Sequence, residues 1–270
     1  MQGDFVPIHG NYKGYYLKRP FTQDPRLGLL PSDILKGARV LDVGCNEGFV
    51  TCEIGQIWGA EKAIGVDIDG SLIQAAWKRR RTLWCQQGPA SEDVLEEPTS
   101  KERKPSETTG KERACVPHHF PASCEHMFGA IPIPTCSDTS NLFPHNVVFQ
   151  TADWVRTEIT EDKVGYDVVI AFSLSKWIHL NDGDEGLMKF FQRVHSVLKP
   201  GGVFILEPQE WDTYSKAKRM SAKLRENAKS LKIKPQDFPA ILKEVGFGPV
   251  RHLGTTGEGG FHRSVDLYES

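Results

Sequence analysis

Apolar residues come in two rhythms along this chain. Largely apolar runs of strand length, rich in β-branched and aromatic side chains, lie at Arg39 to Val43, Ala63 to Asp67, Val147 to Thr151, Tyr166 to Phe172 and Val203 to Glu207. Between them, Val50 to Gln56, Ser71 to Arg80 and Gly186 to Leu198 repeat their apolar positions at helical spacing. Buried strands alternating with amphipathic helices predict an α/β fold, a mostly parallel sheet with helices on both faces. The longest unbroken apolar runs, Val168 to Phe172 and Val203 to Leu206, are far shorter than the roughly 18 residues that cross a bilayer. No apolar stretch follows Met1, so neither a membrane span nor a secretory signal is expected.

Both rhythms stop between Cys85 and His145. That stretch holds eight of the 17 prolines, nine acidic residues and five basic ones, and so contains much of the acidity of a chain with 33 Lys and Arg against 35 Asp and Glu. Such a segment buries too little apolar area to offset its ordering entropy, and it is expected as a disordered insertion at 85–145 within a single domain of residues 1–270. Six cysteines without a secretory signal read as reduced thiols of a cytosolic or nuclear protein.

The first strand runs through Asp42 into Gly44, Cys45, Asn46, Glu47 and Gly48, a glycine turn that opens a helix. Gly44 and Gly48 leave room where a Cβ would clash, and the helix presents unpaired N–H groups to a ligand. Nineteen residues beyond Gly48 the next strand ends in Asp67, placed to accept both hydroxyls of a ribose. Nicotinamide dinucleotides and S-adenosylmethionine share this geometry. Asp42 separates them, since a carboxylate two residues before the first glycine would repel a pyrophosphate yet could neutralise a cationic sulfonium ligand. Cys45 reads as a small buried thiol.

Further motifs narrow the reading: Gly10-Asn11-Tyr12 with Tyr15 and Tyr16, Asp24-Pro25-Arg26-Leu27, Ser173 to Asn181 followed by Gly183-Asp184-Glu185-Gly186, Lys199-Pro200-Gly201-Gly202 before a strand, and Glu207-Pro208-Gln209-Glu210-Trp211. Together with Phe143-Pro144 and Gly260 to Arg263, they resemble the bicoid-interacting-type RNA methyltransferases, from Gly10 to the C-terminus. The resemblance implies a class I methyltransferase with a Rossmann-like, seven-stranded sheet. It also implies transfer of a methyl group from S-adenosylmethionine, leaving S-adenosylhomocysteine, to the γ-phosphate of 5'-triphosphate small RNA. Alternatives are a 5'-monophosphate RNA end, or a mainly RNA-binding scaffold in a ribonucleoprotein. By the same resemblance, Tyr16, Arg26, the glycine loop, Asp67, Ile68, Asp153, Trp154 and Phe172 line the cofactor. Tyr15, Arg19, Lys176 and His179 then face the RNA end with Arg263 near it, the location is nuclear, and a La-related protein is a partner.

A terminal phosphate is already anionic near neutral pH, its last ionisation lying near 6, so methyl transfer to it calls for positioning rather than for a general base or a metal. Trp177 and Leu180 are expected in the core and Asp69 with Ser71 at a helix cap. Between Ser215 and Lys234 the basic residues Lys216, Lys218, Arg219, Lys223, Arg225, Lys229, Lys232 and Lys234 face a single acid, Glu226, which predicts one amphipathic helix with a cationic face for a phosphate backbone. Lys78 to Arg81 are expected to be structural. Cys115, His118, His119, Cys124, His126 and Cys136 lack the paired spacing of a zinc site, so no metal is expected.

Overall fold

The computed structural model describes residues 6–18, 22–86, 133, 141–257 and 262–270. Most of the expected insertion, Arg19 and the six cysteines and histidines between 115 and 136 lie outside the described residues. No helix among the described residues is long and apolar enough to cross a membrane.

Five parallel strands carry the fold: β1 (Arg39–Val43), β2 (Lys62–Asp67), β3 (Val147–Thr151), β4 (Tyr166–Phe172) and β5 (Leu198–Glu207). Two antiparallel strands, β6 (Arg251–Thr256) and β7 (Arg263–Glu269), complete a sheet of order β3-β2-β1-β4-β5-β7-β6. This is the seven-stranded class I arrangement that the resemblance implies. The helices are α1 (Phe49–Gln56), α2 (Gly70–Cys85), α3 (Ser175–Val197), α4 (Tyr214–Ala217), α5 (Ala222–Ser230) and α6 (Phe238–Val245).

Period-two alternation explains why the central strands are apolar throughout. Val40, Ala63, Val168 and Ile170 pack on one face with Val50, Cys52, Ile54, Ile73 and Ala76 of α1 and α2. Their neighbours Leu41, Ile64, Val169 and Ala171 point the other way, onto Phe190, Phe191, Phe238 and Leu242 of α3 and α6. Each strand therefore loses solvent on both faces, and a polar residue on either would be buried.

Local signals set the helix starts. The Asp69 side chain accepts from the Ser71 N–H at 2.8 Å at the head of α2. The basic run Lys78 to Arg81 lies inside α2, which continues to Cys85 instead of ending there, and Arg80 in it is structural, donating to the carbonyls of Pro144 and Val147. Two sequence expectations change. The helix expected from Gly186 begins at Ser175 and bends at Gly183 (φ 71°, ψ −171°), which puts Lys176 to Asn181 on a helix. The single basic helix is two, because Ser221 turns extended (φ −149°) and caps α5 by accepting from the Leu224 N–H, giving the chain a sharp break. Trp177, Leu180, Tyr214, Ala217 and Leu224 form the small apolar cluster that fastens this broken arm to α3.

Candidate active site

Strand order reverses between β1 and β4, and the crevice outside the carboxyl ends of such strands is where α/β sheets bind ligands. Two cavities of about 310 and 280 Å³ lie there and share His9, Gly44, Asp67, Leu174 and Trp177, so they form one cleft. Gly44 sits at φ +78°, a conformation that is strained for any side chain, and a Cβ on it would press to 3.0 Å on the Leu174 side chain; glycine there leaves the backbone bare. Asp67 ends β2 at the centre of the cleft. Its carboxylate accepts the Asn46 N–H on one oxygen and the Asp69 N–H on the other, each at 2.9 Å. A carboxylate has about four acceptor sites, so capacity remains on Asp67 for a ligand hydroxyl beside its backbone N–H donors. Burial pushes this carboxyl above the usual carboxylate range.

Ile68, Asp153 and Trp154 line one end of the cleft. Trp154 is otherwise a core residue, its indole N–H on Asp162 at 3.2 Å and its ring under the Arg193 guanidinium at 4.5 Å. Tyr15, Tyr16, Phe172, Ser173, Lys176, Gln209 and Arg263 line the other end.

Across the top lies the segment around Gly10 to Tyr16, strapped down by polar contacts. The side-chain amide of Asn11 donates to Asp69 at 2.8 Å, that of Asn46 to the Tyr12 carbonyl at 3.2 Å, and that of Asn181 to the Ile8 carbonyl at 2.8 Å. The Gly14 N–H donates to Glu47 at 3.0 Å. Gly10 (φ +75°) lies against the Trp177 indole, where a Cβ would be 2.3 Å from ring atoms. Sequence reasoning registered this segment as a motif and missed what it does, which is to roof the cleft.

The cations converge at the β4 and β5 end. Lys176 is buried; its Nζ donates to Thr213 Oγ1 at 3.3 Å and stands 4.9 Å from the Trp177 ring. Burial, and then the nearby positive charge of Arg263, bring its ammonium down to about 8. Ser173 joins the partners: its Oγ lies 3.2 Å from the Tyr15 hydroxyl, accepts from Arg263 Nη1 at 2.7 Å and donates to Glu207 at 2.5 Å. Gln209 accepts from the Lys176 N–H at 3.0 Å and donates to the Ser173 carbonyl. Ser173, Glu207 and Gln209 had drawn notice only within motifs, because their roles depend on which strand ends become neighbours.

Five expected site residues stand behind the cleft wall instead of on it. Arg26 is fully buried, donating through Nε and Nη2 to Asp24 at 2.8 and 2.6 Å and through Nη1 to Glu207 at 2.8 Å, with Phe172 4.3 Å below it. Burial opposes its charge, but Glu207 and Asp24 outweigh burial and hold it firmly protonated. The His179 ring is likewise buried, Nε2 on Asp184 at 2.7 Å and Nδ1 on Tyr214 at 3.2 Å, so neither nitrogen is left for an RNA end. Burial lowers its pKa. Cys45 is buried, with its thiol on the Asn46 carbonyl and pushed up by burial. Gly48 makes room for Phe149, whose ring would be 2.6 Å from a Cβ there.

Asp42 is the fifth. It accepts from Thr51 Oγ1 at 2.6 Å inside the protein, and burial raises its carboxyl to about 6. Any help to a cationic ligand is therefore through space. A folded-state value above the ordinary 3.8 of an aspartate means the charged form costs stability. That cost is complete above pH 6, shrinks as pH falls towards 3.8 and vanishes below it. Asp42→Asn, which retains an acceptor for Thr51, is expected to raise stability at pH 7.5 by on the order of 2 kcal/mol, the gain disappearing near pH 4. It is also expected to weaken S-adenosylmethionine more than S-adenosylhomocysteine, which lacks the sulfonium charge. Thermal melting across pH and calorimetry with both molecules check this.

Comparison with known proteins bears on this site. Residues 166–270 match the model of a family described as Bicoid-interacting protein 3. A probable RNA methyltransferase of Arabidopsis thaliana is 31% identical over 264 residues, covering 96% of this chain and 78% of that protein. The chain belongs to the Bicoid-interacting protein 3 family. A second family-level likeness is to the human 7SK snRNA methylphosphate capping enzyme, 37% identical over 96% of this chain. The chain spans about two fifths of that relative, 39% of its length. The pre-miRNA 5'-monophosphate methyltransferase of Xenopus laevis is 25% identical over 97% of this chain and 91% of its own length. The part of the chain that matches the Bicoid-interacting protein 3 model contains Ser173, Lys176, Glu207, Gln209 and Arg263, the cationic end of the cleft.

Proposed function

We propose that this protein is an S-adenosylmethionine-dependent methyltransferase acting on the terminal phosphate of an RNA 5' end, with the γ-phosphate of a 5'-triphosphate small RNA as its acceptor. The observation that carries this reading is the convergence of Lys176, Arg263 and the Tyr15 phenol on the same cleft that Gly44 and Asp67 open at the strand ends. The cofactor fits the residues present. Bare backbone at Gly44, free acceptor capacity on Asp67 and the apolar wall of Ile68 and Trp154 suit a methionine tail, a ribose and an adenine in turn.

Held by Gly44, Asp67, Ile68 and Trp154, S-adenosylmethionine would supply an electrophilic methyl group to the phosphate oxygen, the C–S bonding pair remaining on the sulfur of S-adenosylhomocysteine. What the chain provides is alignment. The terminal phosphate is a dianion above its last ionisation near 6, so no base is needed. Lys176 and Arg263 hold non-attacking oxygens, Tyr15 orients the group, and the roof at Gly10 to Tyr16 keeps water from the reacting atoms. The electrophile carries its own positive charge, so the scheme calls for no metal.

Exposed Lys216, Lys218 and Arg219 supply sequence-independent contacts to the phosphate backbone downstream of the 5' end. A La-related protein as partner and a nuclear location complete the proposal. A 5'-monophosphate acceptor is the second reading, favoured by the likeness to the Xenopus enzyme. The test is turnover by mass spectrometry on one RNA carrying a triphosphate, a monophosphate or a 5'-hydroxyl. Methylation of the triphosphate, lost in Asp67→Ala and absent on the hydroxyl, is the expected result; modification of the monophosphate alone selects the second reading. No methylation of either phosphate leaves the protein as an RNA-binding scaffold.

A further inference from the structure

Ser173 is one of three non-glycine residues with positive φ among the described residues, at φ 56°, and the one that carries a hydroxyl. A side chain in the left-handed region costs on the order of 1–3 kcal/mol and persists where the surroundings over-determine it. Here they do: the Ser173 N–H donates to the Glu207 carbonyl at 3.2 Å, and its own carbonyl accepts from Gln209. The turn lifts the side chain off the end of β4, so that Oγ meets three groups from three distant segments. It gives its proton to Glu207 of β5 and receives Arg263 Nη1 from β7, with the Tyr15 hydroxyl of the roof as its third neighbour. One donor and two acceptor positions are the whole capacity of a hydroxyl, and all are used.

We propose that Ser173 is the positioning residue of the phosphate clamp: its hydroxyl sets where the Tyr15 phenol and the Arg263 guanidinium stand, and through them where the terminal phosphate oxygen stands relative to the methyl group. The inference rests on the phosphate-methylating reading above. A guanidinium has five N–H donors, of which Ser173 Oγ takes one on Arg263 Nη1, and the Tyr15 O–H can turn to the phosphate when the Ser173 proton turns from Glu207 to the phenol oxygen. The strained turn is then the means by which a β-strand end presents a hydroxyl to two side chains of distant segments at once.

The test separates hydroxyl from backbone. Ser173→Gly adopts φ 56° without strain but has no hydroxyl, and Ser173→Ala keeps the strain and loses the hydroxyl. Both are expected to lose about 10- to 100-fold in kcat/KM on phosphate-ended RNA, while S-adenosylhomocysteine affinity stays within about threefold and Ser173→Gly melts close to wild type. Because Ser173 acts through Tyr15, adding Tyr15→Phe to Ser173→Gly should cost little beyond the larger single loss. Three results would overturn the proposal: a Ser173→Gly protein with wild-type kcat/KM, losses of the two substitutions that multiply, or loss of S-adenosylhomocysteine binding and stability in Ser173→Gly, which would make Ser173 an element of the fold. A wild-type protein that turns over no phosphate-ended RNA, whatever the variants do, would instead remove the reading on which the proposal stands.

Discussion

Arg26→Met is expected to lower the stability of this protein by about 3–5 kcal/mol, because it leaves carboxylates of a buried ion network without their cation. In the folded protein the guanidinium satisfies Asp24 on two N–H groups and Glu207 on a third, all three side chains being buried. Urea titration or calorimetry reads the loss, and at about 2–4 °C per kcal/mol for a domain of this size the melting temperature should fall by roughly 10 °C. Combining Arg26→Met with Asp24→Asn and Glu207→Gln should recover much of the loss, since no uncompensated charge then remains. A single variant as stable as wild type would mean that the network is not held dry. Cofactor affinity should also fall in Arg26→Met, because Tyr16 and Phe172, which line the cleft, rest on the guanidinium.

Lys176→Met is expected to have the largest effect on turnover, a loss of about 10²- to 10³-fold in kcat/KM on phosphate-ended RNA, the usual cost of removing one preorganised donor to a reacting anion. The pH profile is its signature. Wild-type activity should rise as the terminal phosphate loses its last proton near 6. It should stay full while Lys176 is an ammonium and decline as pH passes about 8. The methionine variant should keep the acid limb and lose the alkaline one. Folding of the variant is not the difficulty: burial lowers the folded-state value of Lys176 below the ordinary 10.5 of a lysine, so below pH 8 the charge costs stability, and the variant should melt no lower than wild type. An alkaline limb that survives Lys176→Met would assign it to another group and take Lys176 out of the clamp.

Arg26 and Lys176 illustrate how unevenly a sequence discloses a site. The motif around each was legible, and with it the place of Lys176 on the cleft, but the role of Arg26 was not. Arg26 was expected against the cofactor and stands behind the wall, because its charge is saturated by Asp24 and by Glu207, a residue 181 positions away. His179 was expected to face RNA and instead joins Asp184 to Tyr214, an outcome that follows from the start of α3 at Ser175 and its bend at Gly183. The residue given the positioning role, Ser173, has no sequence signal beyond its place in a motif, since neither a positive φ nor three converging partners can be read from a linear pattern.

The sequence by itself determined the alternation of apolar strands and amphipathic helices, the positions of β1 to β5, the glycine turn before α1, the acid ending β2 and the cap of α2. Each of these depends on residues a few positions apart: periodicities of two and three to four, a missing Cβ, or a side chain bonding its own backbone. The antiparallel insertion of β7 between β5 and β6, the break of the basic arm at Ser221, the roof laid over the cleft and the pairing of cations with buried acids were decided by the tertiary structure. These are contacts between segments far apart in the chain. Their geometry and desolvation come into being only when the sheet brings its strand ends together, and only there does a lysine change its affinity for a proton or a serine acquire three partners.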